Sequence, residues 1–167
     1  FRNCDLIPTI HSRNMRGMHN DVDFYISKVR KKSRLRMLVI SGGWVSPAEY
    51  RKHHKAHTRK MSRFAAHPKL KAWGIQLIFY NVENNIQRDD DGRAMLNLHS
   101  HALIHCHRHI GKKKWAEYLK FVRKFFPKGY AQDSAIQKAA EVVKYCFKLS
   151  EFELLTDTEF GDMARQI

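Results

Sequence analysis

Ala72-Trp73-Gly74-Ile75-Gln76-Leu77-Ile78-Phe79-Tyr80-Asn81-Val82-Glu83, then Asp89-Asp90-Asp91-Gly92-Arg93, then Met95 to His107, is the stretch that decides the fold. The outer segments are rich in aliphatic, aromatic and β-branched residues, and the aspartate–glycine cluster between them is a turn. They read as a long hairpin with an extended tip, which forces antiparallel pairing. Upstream, Arg36-Met37-Leu38-Val39-Ile40-Ser41 reads as another strand, closed by Gly42-Gly43. Ser46-Pro47-Ala48-Glu49 carries a helix start: a hydroxyl at the N-cap, proline at the first helical position and glutamate three residues after the cap. A basic helix is expected to run to about Ala66, with Pro68 as its stop.

Downstream, Trp115, Leu119, Val122 and Phe126 are spaced as one helix face over Lys112 to Phe126, and Pro127-Lys128-Gly129 ends it. A short strand is expected around Tyr130, then a helix from Ala135 to Leu149 with Ser134 as its N-cap. The order is strand, helix, strand, strand, helix, strand, helix. That pattern is α+β, a central antiparallel sheet flanked by helices. Residues 35–150 form the expected domain, 1–34 an N-terminal extension of unclear role, and 151–167 a helical tail packed on the domain.

The chain has 167 residues, 43% of them hydrophobic, which suits one domain with a sizeable core. No apolar run approaches the roughly 18 residues of a membrane span. Lys and Arg number 31 against 16 Asp and Glu, a formal charge of +15. A polyanion, and nucleic acid first, is the expected partner. Cys4, Cys106 and Cys146 are too few and too scattered for a disulfide framework, and no CxxC pair is present. A cytoplasmic setting follows as the expectation. The chain opens at Phe1 with no leader pattern, which reads as a piece of something longer.

Five of the eleven histidines fall between His99 and His109. On a strand His99 and His101 point the same way, about 7 Å apart, and two imidazoles so placed can share a divalent ion. A third ligand carrying oxygen suits an ion that must hold phosphate. Glu83, on the partner strand of the hairpin, is the nearest candidate, ahead of Gln76 and Tyr80. His105 shares the face but lies four residues from His101. Further on, Glu141, Tyr145 and Lys148 share one helix face. A tyrosine so flanked can serve as an oxygen nucleophile, although an ordinary amphipathic helix has the same spacing.

His99-Ser100-His101-Ala102-Leu103-Ile104, followed by Tyr145-Cys146-Phe147-Lys148, resembles the HUH endonucleases, and among them the rolling-circle replication initiators of bacterial plasmids. Strand 36–41 looks like their first motif. The resemblance covers roughly residues 35–150 and implies an RRM-like antiparallel sheet with flanking helices. It implies that His99 and His101 bind a divalent ion, Mn²⁺ or Mg²⁺, with Glu83 as third ligand. It also implies that Tyr145 attacks the scissile phosphodiester, Lys148 assists, and Glu141 activates water for the terminating cleavage. The partner it implies is single-stranded DNA at a replication origin, presented as a stem-loop, with a host helicase as a second partner. One departure stands out: the residue between the histidines is bulky and hydrophobic in the family and is Ser100 here.

Arg51, Lys52, Lys55, Arg59, Lys60 and Arg63 on the basic helix, Lys112, Lys113 and Lys114, and Lys144 are then candidate DNA contacts. Trp44, Trp73 and Trp115 are candidates to stack on bases. No Gly-x-x-x-x-Gly-Lys-Ser/Thr loop occurs, so this chain holds no phosphate-loop motor. The competing readings are a single-tyrosine HUH transposase or relaxase, for which Tyr25 is a poor nucleophile candidate, and a non-catalytic basic nucleic-acid-binding module.

Overall fold

In chain order the elements are α1 (Pro8–Lys28), β1 (Leu35–Val45), α2 (Tyr50–Ala65), α3 (Pro68–Trp73), β2 (Ile75–Arg88), β3 (Ala94–Cys106), α4 (Lys112–Phe125), β4 (Ala131–Ala135) and α5 (Asp157–Ala164). They come from a computed structural model that describes residues 8–127, 131–136 and 152–165. The four strands form one antiparallel sheet in the order β2-β3-β1-β4. The α+β architecture expected from the hairpin is therefore present.

One face of the sheet carries the main core. Leu38 and Ile40 from β1, Ala102, Ile104 and Cys106 from β3, and Ile75 from β2 meet Met61 and Phe64 of α2, Leu70 of α3, and Tyr118 and Val122 of α4. Even-numbered β3 residues point to this helical face and odd-numbered ones to the other, because successive strand side chains alternate. Each large aliphatic side chain buried here contributes about 1.5–3 kcal/mol. Trp73 and Trp115 pack against this core beside Tyr118, which accounts for them as structure and not as a platform for bases. Arg36 also lies on this side, fixed by hydrogen bonds of 2.8 Å from Nε to both oxygens of Asp133, with its guanidinium 4.7 Å from the Trp115 ring centroid. That pair ties the short edge strand β4 to β1.

Two bulges set which residues reach the opposite face. In β2, Leu77 pairs with Ile104 and Phe79 with Leu103, so Ile78 is an extra residue and the alternation shifts by one. Glu83 therefore lands opposite His99, on the odd face of β3, whereas unbroken alternation from Leu77 puts it among the helices. In β1 the register slips between Ser41 and Gly43, and Gly43 takes φ 94°, a left-handed conformation open to glycine. This second shift brings Trp44 opposite Asn97 and leaves Val45 in the core opposite Leu96.

Several local expectations change. Within the N-terminal extension, α1 is a helix of 21 residues, and Val22 and Ile26 pack on Leu35, Met37 and Leu103 across the face opposite the main core. The segment at Ser46 opens with a 3-10 turn, Pro47–Glu49, before α2 begins. The Ser46 side chain makes no capping hydrogen bond to the backbone there. Its hydroxyl faces Glu49 Oε2 at 3.4 Å, while Glu49 N closes the tight turn on Ser46 O. Pro68 does stop α2, but it also opens α3, since its missing N–H costs nothing at a first helical position. Gly74, at φ 70°, ends α3, so the strand starts at Ile75 and not at Ala72. Ser134 and Ala135 belong to β4, paired with Met37 and Arg36, so neither can begin the next helix. At the other end, Thr156 and Glu159 form a capping box on α5, and Arg88 reaches Glu159 from the end of β2, with 3.0 Å between Nη2 and Oε2. The arginine holds the Glu159 carboxyl down to about 2.

Candidate metal and nucleic-acid site

His99 and His101 lie on the sheet face away from α2 and α4, at the centre of β3. Their ring centroids are 6.5 Å apart and the rings are inclined by 30°. Glu83 stands opposite His99 on β2, only 3% exposed, and its Oε2 is 3.1 Å from His101 Nε2. The three residues singled out as ligands thus share one face of two paired strands. His99 Nδ1 lies 3.0 Å from the Asn97 carbonyl. A carbonyl only accepts, so Nδ1 is the protonated nitrogen and the lone pair of the neutral ring is on Nε2. Such a bond fixes the tautomer of metal-binding histidines.

The same face offers further oxygen. Asn85 follows Glu83 by two residues and pairs with Asn97, and its buried Oδ1 has no hydrogen-bond partner among the described residues. Two imidazoles, a carboxylate and a carboxamide oxygen are a donor set suited to Mn²⁺ or Mg²⁺. Among the described residues, no three His, Cys, Asp or Glu groups already converge on one point as a metal cage. The nearest approach is the 3.1 Å contact. Two ligands at roughly 2.1 Å from an octahedral ion sit about 3 Å apart, so the Glu83–His101 spacing already matches one edge of such a site. Gln76 lies at the far end of the face, with its Oε1 2.7 Å from His107 Nε2, and Tyr80 pairs with Ala102 on the helical side; neither stands near the histidines.

Ser100, the departure from the family pattern, now has a physical account. Its side chain points to the helical face, and its Oγ is 2.6 Å from His57 Nε2 of α2. Both residues are buried. The imidazole occupies the space left by Gly42, the extra residue of the β1 bulge, where a Cβ would lie 2.7 Å from His57 Nδ1. Burial pushes His57 down to about 4, with His54, Lys60 and His99 adding to the shift. A polar pair and a glycine thus fill the space beneath the histidine face.

Trp44 is 43% exposed and stands on the histidine side of the sheet, opposite Asn97 and one step from the Ser41–His99 pair. Ser41 Oγ donates to Asn97 Oδ1 at 3.0 Å and accepts from Gly43 N at 3.2 Å, which stiffens the bulge that presents the indole. An exposed indole so mounted can stack on a base. Trp44→Ala is expected to weaken binding of a single-stranded oligonucleotide by about 1–3 kcal/mol with no change in melting temperature. Anisotropy titration checks the first and thermal unfolding the second.

The expected DNA contacts are placed elsewhere. Arg51, Lys52, Lys55, Arg59 and Arg63 are exposed on α2, and Lys112, Lys113 and Lys114 on α4. Lys60 is half-buried, with its ammonium 5.4 Å from the Phe126 ring centroid. Both helices cover the face behind the histidines, so these cations are separated from His99 and His101 by the thickness of the sheet. Glu141, Lys144, Tyr145 and Lys148 lie outside the described residues. Tyr25, the only tyrosine of α1, has its hydroxyl 2.7 Å from His105 Nδ1, and burial raises its pKa. Comparison with family models, with curated proteins and with solved structures finds no match for the chain.

No described helix is long and apolar enough to cross a membrane.

Proposed function

We propose that the chain is a metal-dependent enzyme that nicks and rejoins single-stranded DNA through a 5′-phosphotyrosine, and that it initiates rolling-circle replication. The observation that carries this reading is the meeting of His99, His101 and Glu83 on one sheet face, with the Glu83 and His101 side chains 3.1 Å apart. Three residues chosen from the order of motifs alone are unrelated in a basic binding module. In an HUH enzyme they are required to meet.

His99 Nε2, His101 Nε2 and Glu83 Oε2 are the atoms that would hold Mn²⁺ or Mg²⁺. When bound, the ion supplies Lewis acidity toward a non-bridging oxygen of the scissile phosphate. Tyr145 Oη forms a bond to phosphorus as the bond to the 3′ oxygen breaks. The phenol gives up its proton and the departing oxygen gains one, leaving a 3′-OH. Lys148 offsets negative charge at the phosphate. Glu141 takes a proton from the water that ends the cycle. Tyr25 stands at His105, four residues along β3 from His101, and burial raises its pKa, which disfavours it as nucleophile and hence a relaxase of the N-terminal-tyrosine kind.

The test is a covalent-adduct assay with a pool of single-stranded stem-loop oligonucleotides and Mn²⁺. An adduct that survives denaturation is expected, absent with EDTA and absent in Tyr145→Phe. An adduct that persists in Tyr145→Phe reassigns the nucleophile. Binding across a wide pool without any adduct leaves the non-catalytic module in its place.

A further inference from the structure

Where α1 meets β1, an open cavity of about 690 Å³ is lined by Lys28, Arg30, Lys31, Arg34, His105 and His107, together with Tyr25 and Val29, and among the described residues no carboxylate borders it. We propose that this cavity holds one nucleotide of a bound single strand, its phosphate against the cations and its base against the rings. The inference rests on the reading that the partner is nucleic acid, but not on the nicking chemistry.

Three features point to this occupant. First, four cations within seven residues repel one another, and the wall supplies no acid to offset them; a phosphate does so. The carbonyl end of α1 does not serve that purpose for them. Its Ile26 oxygen already accepts from Val29 N at 3.2 Å and from Lys32 Nζ, so the fifth cation of the cluster is the one spent on the helix. Second, the opposite wall is aromatic: the rings of His105 and His107 are 4.4 Å apart, and Tyr25 meets His105 edge-on at 5.9 Å. These rings are held in place. Tyr25 bonds His105, Gln76 bonds His107, and Arg34 Nη1 donates to the His107 carbonyl at 2.7 Å. Third, the volume falls in the range of small-molecule sites and is far larger than a bare phosphate needs.

The position fits a strand that also visits the candidate metal site. His105 is on the same face of β3 as His99, six residues away, about 20 Å at 3.3 Å per residue. Leu103, between the two sites, is buried under Val22 and Ile26 of α1, so a strand that meets both passes over that helix, whereas the basic surfaces of α2 and α4 are reached only round the sheet edge. The cavity is thus a second anchor on the histidine side, built from the junction of α1 and β1 and from the end of β3.

The experiment measures anisotropy of a fluorescent single-stranded 25-mer with the full chain in EDTA, so that cleavage plays no part. Lys28→Ala/Arg30→Ala/Lys31→Ala is compared with Lys112→Ala/Lys113→Ala/Lys114→Ala, which removes the same charge from α4. The first variant is expected to bind at least about 10-fold more weakly than the second and to lower the salt slope of log K by about 2, near 0.7 per lost contact. Equal losses in the two variants, or none in the first, overturn the proposal. So does displacement of the strand by a millimolar nucleoside monophosphate as readily as by unlabelled strand, which makes the cavity a site for free nucleotide. Adduct formation by the wild type, scored separately, decides the nicking reading whatever the cavity does.

Discussion

Replacing His101 by alanine is expected to abolish any rise in melting temperature on adding Mn²⁺ and to lower adduct formation on the order of 10²-fold or more. The reasoning is geometric. In the ion-free chain His101 Nε2 is the donor to a carboxylate oxygen of Glu83 at 3.1 Å. An ion entering between them replaces that proton without moving either strand, because the two atoms already sit at the spacing of adjacent ligands. Binding to the folded state alone stabilises it by about 2.7 kcal/mol when the free ion is at 100 times its dissociation constant. The variant also loses a hydrogen bond to a charged group, about 1.5–3 kcal/mol, with or without metal. His101→Gln separates the two effects: it keeps a donor for Glu83 and recovers apo stability, yet lacks the imidazole and should not recover the Mn²⁺ response. A His101→Ala protein stabilised by Mn²⁺ as much as wild type would sink the ligand assignment.

What the sequence discloses and what it hides follow from the physics of alternation. The hairpin, α2, α4 and the antiparallel sheet are legible because their apolar residues recur at periods of two or about 3.6. His99 and His101 are legible for the same reason, two apart on one strand. Glu83 is harder. Its side of the sheet depends on the bulge at Ile78, where one inserted residue reverses every side chain that follows. The bulge in β1 hides Trp44 in the same way, although Gly42-Gly43 is the signal that such a shift is available. The helix α1 is hidden because its apolar residues are sparse, and among those whose burial is described only Val22 and Ile26 are buried. Its basic end is visible as Lys28-Val29-Arg30-Lys31-Lys32, but nothing in the sequence shows that His105 and His107 line the same cavity. Ser100 looked like a defect in a motif until His57, 43 residues earlier in the chain, supplied its partner.

That pair leads to the second large effect: the fold should lose stability between pH 6.5 and about 4 as His57 is forced to charge. Burial holds the His57 imidazole down to about 4, whereas in the unfolded chain it titrates near 6.5. Between those values the unfolded state binds the extra proton, so stability falls with falling pH. The loss begins near 6.5 and is complete near 4. At about 1.4 kcal/mol per pH unit it amounts to about 3 kcal/mol. His54 and His105 are lowered by burial as well and add in the same direction. Glu159 does not confuse the window, because its carboxyl, held down to about 2 by Arg88, gives up its contribution only as pH falls from 4.5 toward that value. Urea unfolding at pH 7 and pH 4 gives the total. His57→Gln, which keeps a polar group for Ser100 but cannot charge, should remove about 1.4 kcal/mol per pH unit from the slope near pH 5.5. In the wild type, the His57 ring signal in an NMR titration should hold its neutral position down to about pH 5. A His57 ring that titrates near 6.5, or a His57→Gln slope equal to wild type, would show that the site beneath Ser100 is wet and that the buried His57–Ser100 pair is not what supports the histidine strand.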